Sequence, residues 1–244
     1  MRLAIVVPTY NEANNVSALT QQISEVVTGI PDVDTTLIYL DDSSPDGTAD
    51  LIQRIAPSHE LPNFHVKVMV KPAKEGLGAA YIFGFTQLLQ EDFDYFLQMD
   101  ADLSHNPKYL TGFIHQGTLG TDLVVASRYI PGGGTPDWSL KRRVLSRGGN
   151  FYARNVLSRR ITDYTGGFNM YSAKLLRRIK PHTITATGYG FILVLKYRAL
   201  LGCTSMTELP IVFFDRTHGQ SKIPKNTLLR NFVLVPRIRM LRGR

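Results

Sequence analysis

The sequence has 244 residues, 43% of them hydrophobic and 20% charged. These proportions exclude a disordered or collagen-like chain and leave enough length for one sizeable core. The net charge of +8 hides an asymmetry: residues 1–122 carry 6 Lys/Arg against 16 Asp/Glu, and residues 123–244 carry 22 against 4. Such a split suggests an acidic wall able to hold a metal, facing a basic wall that receives anions. The single cysteine, Cys203, excludes an internal disulfide and any multi-Cys metal site, and its apolar neighbours place it in the core. No apolar run approaches the ~18 residues of a membrane span, and the first residues are too short an apolar stretch for a secretory leader. The expectation is a soluble or peripheral, cytosolic chain.

In chain order, residues 3–8 read as a buried strand and 13–27 as a helix, followed by a strand at 37–40 that ends in the turn-rich Asp41-Asp-Ser-Ser-Pro-Asp-Gly47. A helix at 48–55, a strand at 65–70, a helix at 76–90 and strands at 95–99 and 123–126 complete the first half. Alternating strands and helices with continuous apolar strands predict an α/β fold, a mainly parallel sheet covered by helices on both faces. Ligands in such sheets sit at the carboxyl ends of the strands, where Asp41, Asp42, Asp100 and Asp102 fall. The second half opens with Pro131-Gly-Gly-Gly-Thr-Pro-Asp-Trp138, readable as a lid or as a plain linker. A basic helix at 141–160, a turn at Gly166-Gly167, an apolar helix at 187–201, a strand at 208–214 and a basic amphipathic tail at 228–244 follow.

Asp100-Ala-Asp102 closes a strand, and alternate residues of an extended chain share a face, so both carboxylates could reach one hard cation that also bridges phosphates. A turn or helix cap is the bland reading. Gly76-Leu-Gly78 imitates a dinucleotide fingerprint but has Tyr81 at the third glycine, so it reads better as a tight turn with close helix packing. His59, His65, His115 and His182 lack ligand spacing, and no Gly-x-Ser-x-Gly elbow or phosphate-loop Gly-Lys-Ser/Thr is present. On the basic helix, Arg142, Ser146 and Asn150 recur every four residues and share a face that could grip a phosphate. A solvated helix face is the ordinary alternative. Nucleic acid is a rival ligand, opposed by the acidic first half and the lack of a nucleic-acid motif.

Six segments in this order resemble the polyprenyl- and dolichyl-phosphate mannose synthases, inverting glycosyltransferases of the GT-A fold. They are Pro8-Thr-Tyr-Asn-Glu12, Asp41-Asp-Ser-Ser-Pro-Asp-Gly-Thr48, Gly76-Leu-Gly-Ala-Ala-Tyr81, Asp100-Ala-Asp-Leu-Ser-His105, Ser127-Arg-Tyr129 and Thr165-Gly-Gly-Phe168. The resemblance extends to Arg216-Thr-His-Gly-Gln-Ser-Lys222. It implies that Pro8, Tyr10, Glu12, Leu40 and Asp42 hold the nucleoside of a nucleotide-sugar, and that Asp100, Ala101 and Asp102 contact its diphosphate. Asp100, Asp102 and Ser104 would surround a Mg2+ or Mn2+. Arg216 and Lys222 would neutralise the leaving diphosphate, and Arg128, Arg142, Ser146 and Asn150 would clamp the acceptor phosphate. Arg128 would also reach the nucleotide-sugar, and Asp102, Arg128 and Arg216 would form the catalytic set.

The implied activity is metal-dependent transfer of mannose from GDP-mannose to a polyprenyl phosphate with inversion. Another hexose such as glucose, another acceptor, or a nucleotide-sugar-binding subunit with little turnover are the alternatives. The implied organisation is a domain at 1–227, with a donor and metal half at 1–127 and an acceptor half at 128–227, plus the tail at 228–244. The tail would lie on the cytoplasmic face of a membrane, meet a small membrane subunit, or pack on the domain. No nucleic acid is expected. The chain departs from the family's usual pattern at Asn169, where Arg is usual, and at Ile192 and Val194, where Gln and an acid are usual.

Overall fold

The computed structural model describes residues 1–214 and 227–240. The strands are β1 (Arg2–Thr9), β2 (Asp34–Asp41), β3 (Phe64–Val70), β4 (Tyr95–Gln98), β5 (Leu123–Ser127), β6 (Asn169–Ser172) and β7 (Met206–Pro210). The α-helices are α1 (Ala13–Val27), α2 (Thr48–Ile55), α3 (Leu77–Leu88), α4 (Leu110–Thr118), α5 (Leu140–Val156), α6 (Ala173–Ile179), α7 (Tyr189–Gly202) and α8 (Thr227–Met240). One seven-stranded sheet runs β3-β2-β1-β4-β6-β5-β7, and every pairing is parallel except those of β6, which lies antiparallel to β4 and β5.

The inner strands β4, β5 and β6 are buried throughout and β1 nearly so because both faces are covered, whereas the edge strands β3 and β7 are partly exposed. Along β1, Leu3, Ile5 and Val7 join one core with Val16, Leu19 and Ile23 of α1, Ile52 of α2 and Phe113 of α4. Ala4 and Val6 turn to the other core, which contains Tyr81 and Phe85 of α3, Leu176 of α6, Phe191 and Leu195 of α7, and Val235 and Ile238 of α8. Each such side chain contributes about 1.5–3 kcal/mol on full burial, so the alternation fixes the strand's register between the two layers.

The mainly parallel α/β sheet matches the sequence expectation, and α1 and α2 have the expected bounds. Several details differ. The fourth strand stops at Gln98, so Asp100-Ala-Asp102 lies in the bend after the strand rather than on it, with Leu103 at φ 62°. The late strand occupies 206–210 instead of 208–214. Elements β6, α4 and α6 were not expected. The segment 131–138 is neither a free lid nor a linker: Gly134 N donates to Ile211 O at 3.0 Å, Phe213 N donates to Gly134 O at 2.9 Å, and Trp138 is buried. Cys203 is half-buried at the C-cap of α7 rather than in the core, and burial pushes its thiol pKa up.

The Gly76 segment is the tight turn with close packing that its sequence suggested. Gly76 sits at φ 90°, in the region that favours glycine, and its N–H donates to Asp42 Oδ2 at 2.7 Å. A Cβ on Gly78 would stand 3.0 Å from the Phe191 Cβ, so α3 and α7 approach through that glycine. Ile192 and Val194 are both buried in the α7 core, and Asn169 is fully buried in β6.

Candidate active site

A cleft of about 950 Å³ opens at the carboxyl ends of β1, β2 and β4. One wall comes from Pro8 to Glu12 after β1, Asp42 after β2 and Asp100 to Asp102 after β4. The opposite wall is residues 185–190 with Val233, Leu234 and Arg237 of α8. Of the expected nucleoside ligands, Pro8, Tyr10, Glu12 and Asp42 line it. Leu40 does not: its side chain is fully buried against α3, where a Cβ on Gly84 would stand 2.6 Å from Leu40 Cδ1. Leu40 has no exposed surface and therefore stands behind the cleft wall, not in it.

Asp42 organises the cleft floor. Its carboxylate accepts from Lys71 Nζ at 2.9 Å and from the backbone N–H groups of Glu75 and Gly76. Burial alone would raise the Asp42 pKa, but these donors, the Glu75 N–H foremost, hold it below the ordinary carboxylate value. Sequence reasoning missed Lys74, whose ammonium lies 3.5 Å from the centroid of the Tyr10 ring in the same cleft.

Asp100 and Asp102 both reach the cleft, through a bend instead of strand alternation. Asp100 is partly exposed, whereas Asp102 is buried and its Oδ1 accepts from Ser104 N at 3.1 Å and Ser104 Oγ at 2.5 Å. Ser104, expected at the cation, is enclosed and holds Asp102. His105 stacks on Phe168 and accepts at Nδ1 from Asp100 N at 3.0 Å; burial lowers its pKa despite Asp100 and Asp102 nearby, which favours the neutral imidazole. Among the described residues no group of three or more His, Cys, Asp or Glu side chains converges on one point. Carboxylates are the donors a hard divalent cation takes, so Asp100 and Asp102 would fit such an ion.

The basic elements form a second site. Arg128 follows β5 and is buried, with Nε and Nη2 donating to Asp163 at 2.7 and 2.8 Å and Nη2 also to Thr165 Oγ1 at 2.8 Å. Burial pushes Asp163 up, but Arg128 wins and brings its pKa to about 2. Trp138 lies between two guanidinium groups, with Arg128 at 5.2 Å and Arg142 at 4.0 Å from its ring centroid. Ser146 Oγ is 2.7 Å from the Tyr129 hydroxyl. Asn150 is a strut: Oδ1 accepts from Tyr164 N, and Nδ2 donates to Ser146 O and Thr165 Oγ1. The structure therefore brings Arg128, Ser146 and Asn150 into one network through Tyr129 and Thr165, with Arg142 at its edge on Trp138. Asp163 went unnoticed in the sequence, although it is one of only 4 acids among 22 cations in that half. Arg216 and Lys222 lie outside the described residues.

The sequence pattern of "Glycosyl transferase family 2" matches residues 4–180. The chain is 36% identical over 223 residues to undecaprenyl-phosphate mannosyltransferase of Micrococcus luteus, covering 91% of this chain and 88% of that one. It is 36% identical over 222 residues to polyprenol monophosphomannose synthase of Mycolicibacterium smegmatis, covering 91% of this chain and 81% of the other. The solved mannosyltransferase PcManGT from Pyrobaculum calidifontis, in complex with GDP-Man and Mn2+, aligns with a TM-score of 0.56 at 16% identity, over 98% of this chain and 73% of that one. This last likeness is one of fold. With the GT-A sheet, the cleft and the sequence relatives together, the chain is a glycosyltransferase that belongs to family 2, within the polyprenyl-phosphate mannose synthases.

Proposed function

We propose that this protein transfers mannose from GDP-mannose to a polyprenyl phosphate, inverting the anomeric carbon, with Mg2+ or Mn2+ bound. The observation that carries the reading is the pairing of two unlike sites: a cleft holding Asp100 and Asp102, and a buried cationic network around Arg128. The names of the two relatives support mannose and a polyprenyl phosphate, and the GDP-Man and Mn2+ complex of the structural neighbour supports the donor and the metal class.

The chemistry needs little more than placement. A lipid phosphomonoester has a second pKa of about 6, so near neutral pH it is already an anion that can attack a sugar carbon without a strong base. Pro8, Tyr10, Glu12 and Asp42 would hold the nucleoside, with Ala101 beside the diphosphate. Asp100 and Asp102, with Ser104 holding Asp102, would retain the cation. When bound, that cation supplies positive charge to the departing diphosphate. Arg216 and Lys222 would add to it. Arg128 and Arg142, aided by Ser146, would fix the attacking phosphate, so that two anions that repel in water are held in line.

No described helix is long and apolar enough to cross a membrane. Exposed Val144 and Phe151 of α5 and Phe232 and Met240 of α8 stand among exposed Lys141, Arg147, Arg237 and Arg239, and Tyr152 stacks on Phe232 where the helices meet. Apolar side chains ringed by cations support a peripheral position on an anionic, cytoplasmic membrane face. Sedimentation with vesicles of phosphatidylglycerol but not of phosphatidylcholine is the expected result; equal recovery with neither contradicts it.

Asn169, Ile192 and Val194, where the chain departs from the family's usual pattern, are all buried and so lend no support to the alternative of a binding subunit without turnover. Radiolabelled GDP-mannose incubated with farnesyl phosphate and Mg2+ or Mn2+ should yield label in the organic phase. Nucleotide binding without lipid-linked label would favour the subunit, and label from UDP-glucose alone would change the sugar.

A further inference from the structure

We propose that Lys196 is a positioning residue that keeps the acceptor clamp both fixed and cationic; the inference rests on the reading of Arg128 as a ligand of the acceptor phosphate. Lys196 sits in the middle of α7 with no solvent exposure, among the buried apolar Phe191, Leu195, Ala199 and Leu200 of the same helix. Placing an ammonium there is costly, and packing alone would be served by a leucine or methionine. Its Nζ donates to two carbonyls, Asp163 O at 2.7 Å and Gly166 O at 2.8 Å. Those carbonyls bracket the turn that presents the Asp163 carboxylate and the Thr165 hydroxyl to Arg128. Thr165 Oγ1 also receives Asn150 Nδ2 from α5, so one lysine holds the turn through which the arginine and the basic helix are joined.

Charge gives the second half of the argument. The Arg128–Asp163 pair is neutral by itself and would attract a phosphate weakly. Lys196 adds a second cation to that one anion, leaving a net positive charge behind a guanidinium whose orientation Asp163 has fixed. The charged groups that Lys196 feels are Asp163, then Arg128, then Glu208 on β7. Glu208 acts least, and its Oε1 accepts from Thr162 N and Oγ1. Burial drives the Lys196 ammonium down to about 8 despite Asp163, so the added charge disappears in weakly alkaline solution. The second ionisation of the lipid phosphate is centred near 6 and is about nine-tenths complete at pH 7, so between pH 7 and 9.5 this ligand's own charge changes little.

Calorimetric titration with farnesyl phosphate and, separately, with GDP-mannose tests the proposal. Lys196→Gln removes the charge and keeps an amide N–H donor for the carbonyls on a side chain one bond shorter. It should weaken farnesyl phosphate about tenfold at pH 7 and lower the melting temperature, while GDP-mannose binding changes little. Lys196→Arg should recover the affinity. Wild-type affinity for farnesyl phosphate should fall by a similar factor from pH 7 to 9.5, and the Lys196→Gln variant should show no such fall. A glutamine variant that binds farnesyl phosphate like wild type, or that loses both ligands alike, overturns the proposal. So does a flat wild-type profile, which decides the matter even where Lys196→Arg fails to fold. Wild-type protein that binds no farnesyl phosphate at any pH contradicts the acceptor reading of Arg128 itself, and this inference falls with it.

Discussion

The two sites hold their charges differently. In the donor cleft Asp102 is kept by neutral local donors, the N–H and hydroxyl of Ser104, while Asp42 on the cleft floor is tied to Lys71 and to backbone N–H groups 33 and 34 residues on. Around Arg128 a buried guanidinium is locked by a buried carboxylate 35 residues away, with a second buried cation beneath the same turn. The Asp102 arrangement is a local one that a cation can complete. The Arg128 arrangement, like that of Asp42, couples remote segments, so it bears on fold stability as much as on ligand binding. The difference teaches where a substitution should damage the protein and where it should damage only the reaction.

The largest effect should separate those two outcomes. Asp163→Asn leaves Arg128 and Lys196 buried without their anion and should destabilise the fold by about 3–5 kcal/mol, readable as a lower urea midpoint. The pH dependence has a definite sign. The folded-state pKa of Asp163 is about 2, below its ordinary 3.8, so its stabilisation is complete above the ordinary value and is lost as pH falls through the folded one. The asparagine variant should lack that part of the acid sensitivity between pH 4 and 2.

Asp102→Ala should act on the reaction instead. Transfer should fall by on the order of a hundred- to a thousandfold, the range for losing one preorganised charge-stabilising group, and donor binding should become insensitive to Mg2+ or Mn2+. A donor titration with and without metal reads this. Unchanged metal dependence would remove Asp102 from the cation site.

How much of this contrast could be read from the chain follows the same division. The donor half was legible because its residues act near where they lie in sequence: apolar strands end in Asp41-Asp42, and Asp100-Ala-Asp102 follows β4 directly. Even there, the two carboxylates reach the cleft from the bent segment 101–103 after β4 and the residue before it, which strand periodicity does not encode. The second half was less legible because its order is made by distant partners. β6 has four residues, and its strand identity comes from antiparallel pairing with β4 and β5. The seven residues of α6 are too few for a helical period to stand out. In the first half, α4 has helical spacing at Leu110, Phe113, Ile114 and Gly117 but is diluted by glycine and threonine, which favour helices weakly. Lys196 interrupts an apolar helix, and only the fold shows that its ammonium meets the Asp163 turn. Ile192 and Val194, where the family's usual residues are Gln and an acid, are buried in the core. Val194→Glu is therefore expected to lower the melting temperature without changing sugar preference, since an unpaired carboxylate would enter the core.

Smaller effects sharpen the acceptor side. Arg142→Ala removes an exposed cation at the Trp138 edge and should weaken a polyprenyl phosphate by about 1.5–3 kcal/mol, with donor binding unchanged. Competition titrations with farnesyl phosphate check it. Tyr129→Phe deletes the hydroxyl partner of Ser146, a contact worth about 0.5–1.5 kcal/mol, and should raise the acceptor KM a few-fold while leaving the donor KM alone.

The central claim is that one acidic and one basic site bind different anions independently, and a crossed thermal-shift experiment tests it most directly. Asp102→Ala and Arg142→Ala would each be melted with GDP-mannose plus Mn2+ and, separately, with farnesyl phosphate. A ligand at a hundredfold excess over its Kd stabilises by about 2.7 kcal/mol, or roughly 5–10 °C for a domain of this size. The account predicts that Asp102→Ala loses much of the nucleotide-sugar shift and keeps the lipid-phosphate shift, and that Arg142→Ala does the reverse. Loss of both shifts in either variant, with the unliganded melting temperature unchanged, would contradict two separate sites.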